Sequence, residues 1–473
     1  MSPEPTPLYV DLDGTLTPAD VSLESFVAYA KTGIRASLQL LGWLVQGRAV
    51  AKARVAALLP IDPATLPIRP EIATIIADAR AAGHRVILAS ASAAANVQAI
   101  ADHLGWFDAA IGSSATSNLK GDTKLAMIRT RETGGAFDYA GDSRADVVIW
   151  AAARTGYSVG HNPHLGNVQM LRERPSKWRA LIKAMRPHQW AKNALIFVPL
   201  LTAGQLLNRP ALLYATLAMV AFSLIASSVY LVNDMLDIPA DRAHKTKYKR
   251  PLASGALSIP LAIVAAVLLM VIPLGASLVA LGRATTLVLL AYLALTTAYS
   301  FRLKSVMTLD VITLACLYTV RIVAGATAIH VRLSFWLFTF SVFFFLSLAY
   351  LKRYTELSSA SEAGILVKGR GYLPEDLRVV ETSGIAAGML SILVLALFIN
   401  SLTGSLAYKT PELLWLLCLP LLYWINRVWM MARRGEVEGD PVAFAIKDRR
   451  SIITVAFMGL IVLIAQKVSL TGL

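Results

Sequence analysis

The chain has 473 residues, 56% of them hydrophobic, and its mean hydropathy is +0.57. These values exclude an ordinary water-soluble protein and predict that much of the chain lies in lipid. No recognition motif accompanies the net charge of +15, so orientation in a membrane and phosphate binding explain it better than nucleic acid does. Cys316 and Cys418 lie far apart in apolar runs, which argues against a disulfide framework or a zinc site.

Residues 1–165 alternate short apolar strand-like runs with Ala-rich helical stretches, which predicts an α/β domain with a parallel sheet. The amino terminus lacks the charged and apolar regions of a signal peptide, so this domain is expected to stay in the cytoplasm. A helical cap is expected at about 20–70. Within it, the apolar core of residues 33–60 is too short to span a bilayer. It suits an interfacial helix or a cap packed on the sheet, and both can hold at once.

Two carboxylates, Asp11 and Asp13, follow the first strand-like run and precede Gly14, which allows a sharp turn. Such a pair can catalyse phosphoryl transfer with two separate roles, because one carboxylate attacks phosphorus and the other protonates the leaving oxygen. A magnesium ion would offset the repulsion between the nucleophile and the phosphate. The remaining partners follow in order at later strand ends, where an open α/β sheet binds ligands: Ser90, Lys124, Asp142 and Asp146.

This ordered set of motifs resembles the haloacid dehalogenase superfamily of phosphatases. The resemblance implies that Asp11 is the nucleophile and Asp13 the acid/base. It also implies that Ser90 and Lys124 hold the phosphoryl oxygens. Lys120 competes with Lys124 for this role, although a solvated surface charge would explain Lys120 as well.

The same resemblance implies a magnesium site in this domain. Asp11 and Asp142 are the expected ligands, Asp146 supports them, and Asp13 belongs to the same acidic group. The cap should select the substrate. Its oily and basic character favours a lipid-linked phosphate, although the core of a cap would look similar.

Residues 166–192 are expected to form a linker, either an amphipathic helix on the membrane or a simple connector. The segment 193–473 is the predicted membrane domain, and several of its apolar runs approach the ~20 residues of a bilayer-crossing helix. The first run contains Pro199 and is the shortest. The nine candidate runs are 194–207, 210–232, 259–281, 284–300, 306–329, 333–350, 380–404, 411–431 and 452–471.

Charges in the connecting segments predict the orientation of these spans. The segments expected inside carry most of the Lys and Arg residues, and the outer loops carry only Arg209, Arg283, Arg332 and Lys409. Lys and Arg collect on the cytoplasmic side of a membrane. The sequence therefore predicts an integral protein of the inner membrane, with the amino-terminal domain and the active sites on the cytoplasmic side.

An acidic segment follows the second span, with Asn233, Asp234, Asp237 and Asp241 spaced to meet near a helix end. There they could share magnesium bound to a diphosphate. Pro239 cannot sit in an uninterrupted helix, so the helix is expected to kink or end and Asp241 to reach the site from a loop. A solvated loop would account for the neighbouring Lys and Arg residues but not for the acid spacing.

The NDxxDxxxD pattern after a second span resembles the UbiA superfamily of intramembrane prenyltransferases. The resemblance covers about 180–473, and further strings are similar to the decaprenyl-phosphate phosphoribosyltransferase branch. These strings are RPHQWAKN (186–193), YSFRLK (299–304) followed by Asp310, RIVAGA (321–326), YLKRYTEL (350–357) and DPVAFAIKDRRS (440–451). Where that branch tends to have His-Pro, this chain has His244-Lys245, which leaves the conformation of that loop open.

That branch implies phosphoribosyl pyrophosphate as donor, a polyprenyl phosphate as acceptor and magnesium at the acidic segment. The phosphatase domain would then remove the 5-phosphate of the product. Three phosphate-bearing groups need many cations nearby. The expected substrate-binding residues are Lys192, Asn233, Lys245, Lys247, Arg250, Tyr299, Lys304, Asp310, Arg321, Lys352 and Arg353.

Asp310 and Arg321 lie inside a predicted span, where ionisable groups are costly and usually functional; a structural ion pair is the other explanation. His188 and His244 are candidate helpers only, because the acceptor phosphate is already an anion. Two other functions are compatible with the sequence. One is prenyl transfer from a prenyl diphosphate to an aromatic or small acceptor, beside a phosphatase of separate specificity. The other is a transporter or lipid-binding protein. A homo-oligomer is also compatible.

Overall fold

The computed structural model of the protein describes residues 6–114, 117–132, 135–172, 176–362, 371–401, 408–437 and 439–469. The chain forms two compact units. The first comprises residues 1–185 and 230–266, and the second comprises residues 186–229 and 267–473. The acidic segment after the second expected span therefore belongs to the same unit as the amino-terminal domain. Residues 402–404 and 470–471, the ends of two expected spans, lie outside the described residues.

The first unit contains a six-stranded parallel sheet in the order β3-β2-β1-β4-β5-β6. Parallel neighbours need crossover connections, which here are mostly helical. The finding confirms the predicted α/β domain. The strands are β1 (Leu8–Val10), β2 (Val86–Ala93), β3 (Ala109–Ser113), β4 (Asp138–Gly141), β5 (Thr155–Val159) and β6 (Val168–Arg172).

Alternate residues of the central strand face two different cores, as the period of a strand requires. Val10 packs in a cluster with Ile72 and Ile76, whereas Tyr9 packs in a cluster with Trp150. All five side chains are buried. Burial on both faces fixes the register of β1 and therefore the position of the polar residues that follow it.

Among the described residues, eight α-helices accompany the sheet: α1 (Val21–Lys31), α2 (Ile34–Gln46), α3 (Arg48–Leu58), α4 (Pro70–Ala81), α5 (Ala94–Leu104), α6 (Asp122–Arg131), α7 (Val147–Ala152) and α8 (Lys177–Met185). Helices α1–α3 form the cap between β1 and β2. Gly47, with φ of +135°, separates α2 from α3. Leu40 on α2 packs against Val55 on α3, while Ile34 and Leu41 on another face of α2 stay exposed. Residues 33–60 thus pack as a cap and also keep an exposed apolar face.

The membrane part is helical: α9 (Val198–Thr202), α10 (Arg209–Leu236), α11 (Ile238–Arg242), α12 (Ile259–Ala280), α13 (Gly282–Phe301), α14 (Leu309–Ala328), α15 (Phe335–Glu362), α16 (Leu377–Ser401), α17 (Cys418–Arg433), α18 (Pro441–Lys447) and α19 (Arg449–Lys467). In the described residues, eight helical segments are long and apolar enough to cross a membrane: α10, α12 to α17 and α19, with α16 and α17 extended by the short 3-10 helices before them. This confirms an integral membrane protein with an all-α bundle.

The first expected span, 194–207, differs from the prediction because it is not one long helix. It consists of the end of a 3-10 helix, Pro187–Phe197, followed by the short helix α9. Pro199 lies in the first turn of α9, where its missing N–H is tolerated. A Cβ atom at Gly325 would lie 2.0 Å from the carbonyl oxygen of Ile196. Glycine at this position therefore allows α14 to contact the backbone of the irregular segment.

Helix α8 occupies part of the expected linker. Its residues Trp178 and Ile182, four positions apart, are exposed, whereas Ala180 and Ala184 are buried. This spacing gives the helix one apolar exposed face beside a small-residue face that packs on the protein.

Candidate functional site

The carboxyl edge of the sheet gathers the predicted residues of the amino-terminal domain. Asp11 follows β1, and its Oδ1 accepts a 2.7 Å hydrogen bond from the Lys124 ammonium on α6. Lys124 also donates to the Tyr139 hydroxyl at 3.1 Å, and that hydroxyl donates to Asp146 Oδ1 at 2.6 Å. These four side chains are buried, whereas Lys120 is exposed. Lys124 is therefore the lysine that contacts the candidate nucleophile.

Three carboxylates at this edge form a close group. Asp11, Asp142 and Asp146 each offer an oxygen, and these oxygens lie within 4.8 Å of one another. Burial raises the pKa of Asp11 to about 8; Lys124 opposes the shift and Asp146 adds to it. Carboxylates this close repel one another when ionised. Clustered carboxylate oxygens are the ligands that Mg²⁺ prefers, so the group fits the expected ion.

Asp13 lies outside this close group and is held by other partners. Its Oδ2 accepts hydrogen bonds from Ser90 Oγ at 3.0 Å and Ser92 Oγ at 2.6 Å. Its Oδ1 accepts one from the backbone N–H of Val21 at 2.7 Å. The first residue of the cap thus contacts the candidate acid/base directly. Sequence reasoning missed Ser92, although its position two residues after Ser90 on one strand places it on the same side.

Position 14 requires glycine because of its backbone angle and because Asp142 lies close to it. Its φ is +80°, and a Cβ atom there would lie 2.2 Å from Asp142 Oδ2. Any other residue would strain the turn and push away an expected metal ligand.

We expect Gly14→Ala to lower phosphatase activity by about 100-fold, because small misplacements of reacting groups cost that much. Hydrolysis of p-nitrophenyl phosphate by the purified full chain would measure the loss. Gly105→Ala is the matched control, since Gly105 has φ of +65° with no atom within 4 Å of an added Cβ. An equal loss in both variants would contradict the role of the close approach to Asp142.

The acidic segment is built from two helices rather than from a helix and a loop. Helix α10 carries Asn233 and Asp234 and ends at Leu236, and α11 carries Asp241. The prediction that Asp241 reaches the site from a loop is therefore wrong. Pro239 lies in the first turn of α11, where the helix needs no N–H from it.

Two of the three aspartates converge on one cation. Arg250 Nη1 donates to Asp234 Oδ1 at 3.1 Å and to Asp241 Oδ2 at 2.7 Å, and both carboxylates are buried. Asp237 contacts Lys31 on α1 instead, with Nζ and Oδ1 3.0 Å apart. Within the described residues, these three acids form no group as close as that of the phosphatase edge. The expected convergence of three carboxylates is thus reduced to two. Asp234 and Asp241 both contact the guanidinium of Arg250. Their carboxylate oxygens are also suited to a hard cation such as Mg²⁺.

A largely buried ion pair joins the acidic segment to the cap. Glu24 on α1 accepts two hydrogen bonds of 2.7 Å from the guanidinium of Arg242, the residue after Asp241. Arg242 also donates to the carbonyl oxygen of Ala253 at 2.8 Å. Gly255, with φ of +71°, lies so close to Pro18 that a Cβ atom would approach the Pro18 carbonyl oxygen to 2.5 Å. The sequence did not predict this contact, because Glu24 and Arg242 lie 218 residues apart.

We expect Glu24→Gln to weaken the attachment of residues 238–255, because it leaves the largely buried charge of Arg242 without its partner. Hydrogen exchange of this segment in the full chain would measure the effect as faster exchange. The double change Glu24→Arg with Arg242→Glu restores opposite charges and should recover part of the protection. If Glu24→Gln exchanges like the wild-type protein, the pair does not hold the segment.

In the second unit, Asp440 is the centre of a polar cluster. Its carboxylate accepts hydrogen bonds from Lys192 Nζ at 2.6 Å and from the Tyr318 hydroxyl at 3.2 Å, and Lys352 Nζ lies 3.7 Å away. Burial alone would raise the pKa of Asp440, but Lys192 and Lys352 hold it at about 2. Sequence reasoning placed Asp440 in a resembling string without assigning it a role. Its position as the N-cap of α18 was the available signal.

Arg321 lies beside this cluster among aromatic rings. Its Nε donates to Asn193 Oδ1 at 2.9 Å, and its guanidinium carbon lies 4.9 to 5.5 Å from the ring centroids of Phe222, Tyr292 and Tyr318. Such cation–π contacts stabilise a guanidinium that has left water. Among the described residues, Arg321 contacts Asn193 and these rings rather than Asp310.

Asp310 pairs with Arg353 instead. Arg353 Nε and Asp310 Oδ2 lie 2.7 Å apart, and neither side chain is exposed. Tyr299 donates to the other oxygen of Asp310 at 2.9 Å. Complete burial favours the structural ion pair over direct substrate contact for Asp310 and Arg353.

The other expected substrate-binding residues lie on connecting segments. Lys245 and Lys247 are exposed between α11 and α12, and Lys304 lies in a 3-10 turn after α13. Of the candidate helpers, His188 lies in the 3-10 helix Pro187–Phe197, and His244 Nδ1 accepts a hydrogen bond from the Thr246 N–H at 3.2 Å.

Comparison with known proteins identifies two families. The model of the UbiA prenyltransferase family matches residues 194–461, and that of the haloacid dehalogenase-like hydrolases matches residues 8–148. Protein y4nM of Sinorhizobium fredii is 37% identical over 94% of this chain and 88% of its own length. Decaprenyl-phosphate phosphoribosyltransferase of Mycobacterium tuberculosis is 33% identical over 57% of this chain and 88% of its own length. The solved structure of a UbiA homolog from Archaeoglobus fulgidus bound to GPP and Mg²⁺ covers 60% of this chain and 99% of its own, with 15% identity and a TM-score of 0.47.

Proposed function

This chain belongs to the UbiA prenyltransferase family, and we propose that it is a bifunctional membrane enzyme that makes a polyprenyl-phosphoryl ribose. Its membrane domain transfers 5-phosphoribose from phosphoribosyl pyrophosphate to a polyprenyl phosphate. Its amino-terminal domain then removes the 5-phosphate. The observation that carries the proposal is the presence of two acidic centres, Asp11 with its neighbours and Asp234 with Asp241, in a chain whose relatives include decaprenyl-phosphate phosphoribosyltransferases.

In the transfer step, the bond between the anomeric carbon and the diphosphate oxygen breaks, and a bond to the acceptor phosphate oxygen forms. Asp234 and Asp241 would hold magnesium, which neutralises charge on the departing diphosphate. Arg250, which contacts both carboxylates, would bind phosphate oxygens of the donor. The acceptor phosphate is already an anion, so no general base is required.

The second unit contains a cluster of basic residues of its own that is suited to binding phosphate. Lys192 and Lys352 meet at Asp440, which keeps two like charges close together. A phosphate group could replace this carboxylate as their shared partner, because both are anions with several acceptor oxygens. Arg321, held among aromatic rings, would supply a fixed donor at the same cluster.

In the second step, Asp11 would attack the 5-phosphate while Asp13 protonates the leaving ribose oxygen. A water molecule then cleaves the aspartyl phosphate and releases inorganic phosphate. Lys124 contacts the nucleophile and would neutralise the phosphoryl group. Asp11, Asp142 and Asp146 would hold the magnesium ion that lowers the repulsion between the two anions.

The proposed orientation follows from the contact between the cap and the acidic segment. The contact between Glu24 and Arg242 supports a placement of the amino-terminal domain on the same side of the membrane as the end of α10. If α10 crosses once, residues 187–202 must cross in the other direction. The 3-10 helix rises about 2.0 Å per residue and α9 about 1.5 Å per residue. Together the two helices are roughly 30 Å long, which matches the thickness of the hydrocarbon core.

Irregular backbone is tolerated at membrane depth only where protein covers it. Asn193, Ile196 and Leu200 of this segment are buried, which supports the crossing. The excess of Lys and Arg in the segments on this side supports a cytoplasmic location for it.

The test is a product analysis of the purified protein with magnesium and isotope-labelled donors. Label from phosphoribosyl pyrophosphate should appear in a lipid when polyprenyl phosphate is present. Incorporation from a labelled prenyl diphosphate into an aromatic acceptor, without ribosylated lipid, would favour prenyl transfer and overturn the proposal. Binding of either donor without a covalent product would favour a transport role.

A further inference from the structure

Lys52 on the cap helix α3 reaches the phosphatase centre. Its Nζ donates to the carbonyl oxygen of Ala91 at 2.7 Å. Ala91 lies between Ser90 and Ser92, whose hydroxyl groups both contact Asp13. Lys52 therefore contacts the residue that separates the two serines around the candidate acid/base.

This lysine differs from Lys124 in what it can still bind. Lys124 is buried and contacts both Asp11 and Tyr139, so it belongs to the centre itself. Lys52 is partly exposed. An ammonium has three N–H donors, and the Ala91 carbonyl takes one of them. The cap thus places a second cation at the edge of the centre with donors left for a ligand.

We propose that Lys52 binds a second anionic group of the substrate, the phosphodiester that joins ribose to the lipid. This inference rests on the proposed function. In that substrate the reacting phosphate is attached to C5 of ribose and the phosphodiester to C1. While the 5-phosphate contacts Asp11 and Lys124, a cation at the edge of the centre can contact the phosphodiester. A monophosphate has no group for Lys52, so the contact selects doubly phosphorylated ribose.

The test compares two substrates in the full-length protein in detergent. One is a soluble short-chain isoprenyl-phosphoryl ribose 5-phosphate, and the other is ribose 5-phosphate. We expect Lys52→Met to lower kcat/KM for the first by about 10- to 100-fold, the range for losing a hydrogen bond to a charged group. Hydrolysis of ribose 5-phosphate should not change. Lys52→Arg, which keeps the charge, should retain the preference.

Arg54→Met is the matched control, because Arg54 lies on the same helix and stacks on Trp43 with 5.6 Å between the guanidinium carbon and the ring centroid. It should leave both substrates unaffected. If Lys52→Met lowers both substrates equally, Lys52 only ties the cap to β2 and the inference fails. It also fails if the wild-type preference survives in Lys52→Met. A wild-type protein that hydrolyses both substrates equally well would overturn the subsite alone, whereas one that hydrolyses ribose 5-phosphate but not the ribosyl lipid would overturn the proposed second step.

Discussion

Replacing Asp11 with Asn should abolish the phosphatase step and leave the transferase step intact. The variant keeps the size of the side chain but removes the anionic oxygen that would attack phosphorus. Loss of a nucleophile costs on the order of 10⁴-fold or more in turnover. Mass spectrometry of lipid products formed from phosphoribosyl pyrophosphate and polyprenyl phosphate should find the 5-phosphorylated ribosyl lipid in the variant. The wild-type protein should yield the dephosphorylated form.

Asp102→Asn is the control for this experiment. Asp102 is an exposed acid on α5 that accepts a hydrogen bond from Gln98. It is not one of the candidate catalytic residues. Its product should match that of the wild-type protein. Dephosphorylated lipid in the Asp11→Asn variant would mean that Asp11 is not the nucleophile. A ribosyl lipid absent from both variants and the wild type would count against the transfer step instead.

Replacing Asp241 with Asn should abolish the transfer step while hydrolysis of p-nitrophenyl phosphate continues. Asp241 and Asp234 share Arg250, so the change removes half of the negative charge that faces this cation. A diphosphate-bound magnesium ion would lose a ligand. Loss of charge stabilisation at a developing anion typically costs about 10²- to 10³-fold. The rate of label transfer from phosphoribosyl pyrophosphate to lipid would measure it.

The magnesium dependence of transfer gives a second measurement on the same variant. If Asp241 is a ligand, the variant should need a higher magnesium concentration for its residual activity. Glu412→Gln is the control, because Glu412 is an exposed acid before α17. Unchanged transfer in Asp241→Asn would show that the acidic segment is not the metal–diphosphate site.

Local patterns in the chain were sufficient to predict both fold classes. Strand-like runs such as the one ending at Val10 alternate with helical stretches, and that order requires a parallel sheet whose carboxyl ends meet. Apolar runs near the length of a bilayer-crossing helix predicted the membrane bundle for the same reason, since hydrophobic length is a local property. Ordered motifs also placed Asp11, Lys124, Asp142 and Asp146 at one edge, because each directly follows a strand or begins the next helix.

The sequence alone did not determine which charged groups pair with each other. Asp310 contacts Arg353 rather than Arg321, and Asp237 contacts Lys31 rather than the other acids. Such pairs join residues that lie far apart in the chain. Their selection depends on how helices pack, which no local spacing encodes.

The sequence by itself determined the two fold classes, the two families and the acidic motifs, because these depend on periodicity and on short strings of residues. Only the tertiary structure decided that the acidic segment attaches to the cap through Glu24 and Arg242 and that Lys52 reaches the phosphatase centre. A buried ion pair or a lysine contact depends on desolvation and on orientation in space. Those quantities exist only after distant segments have come together.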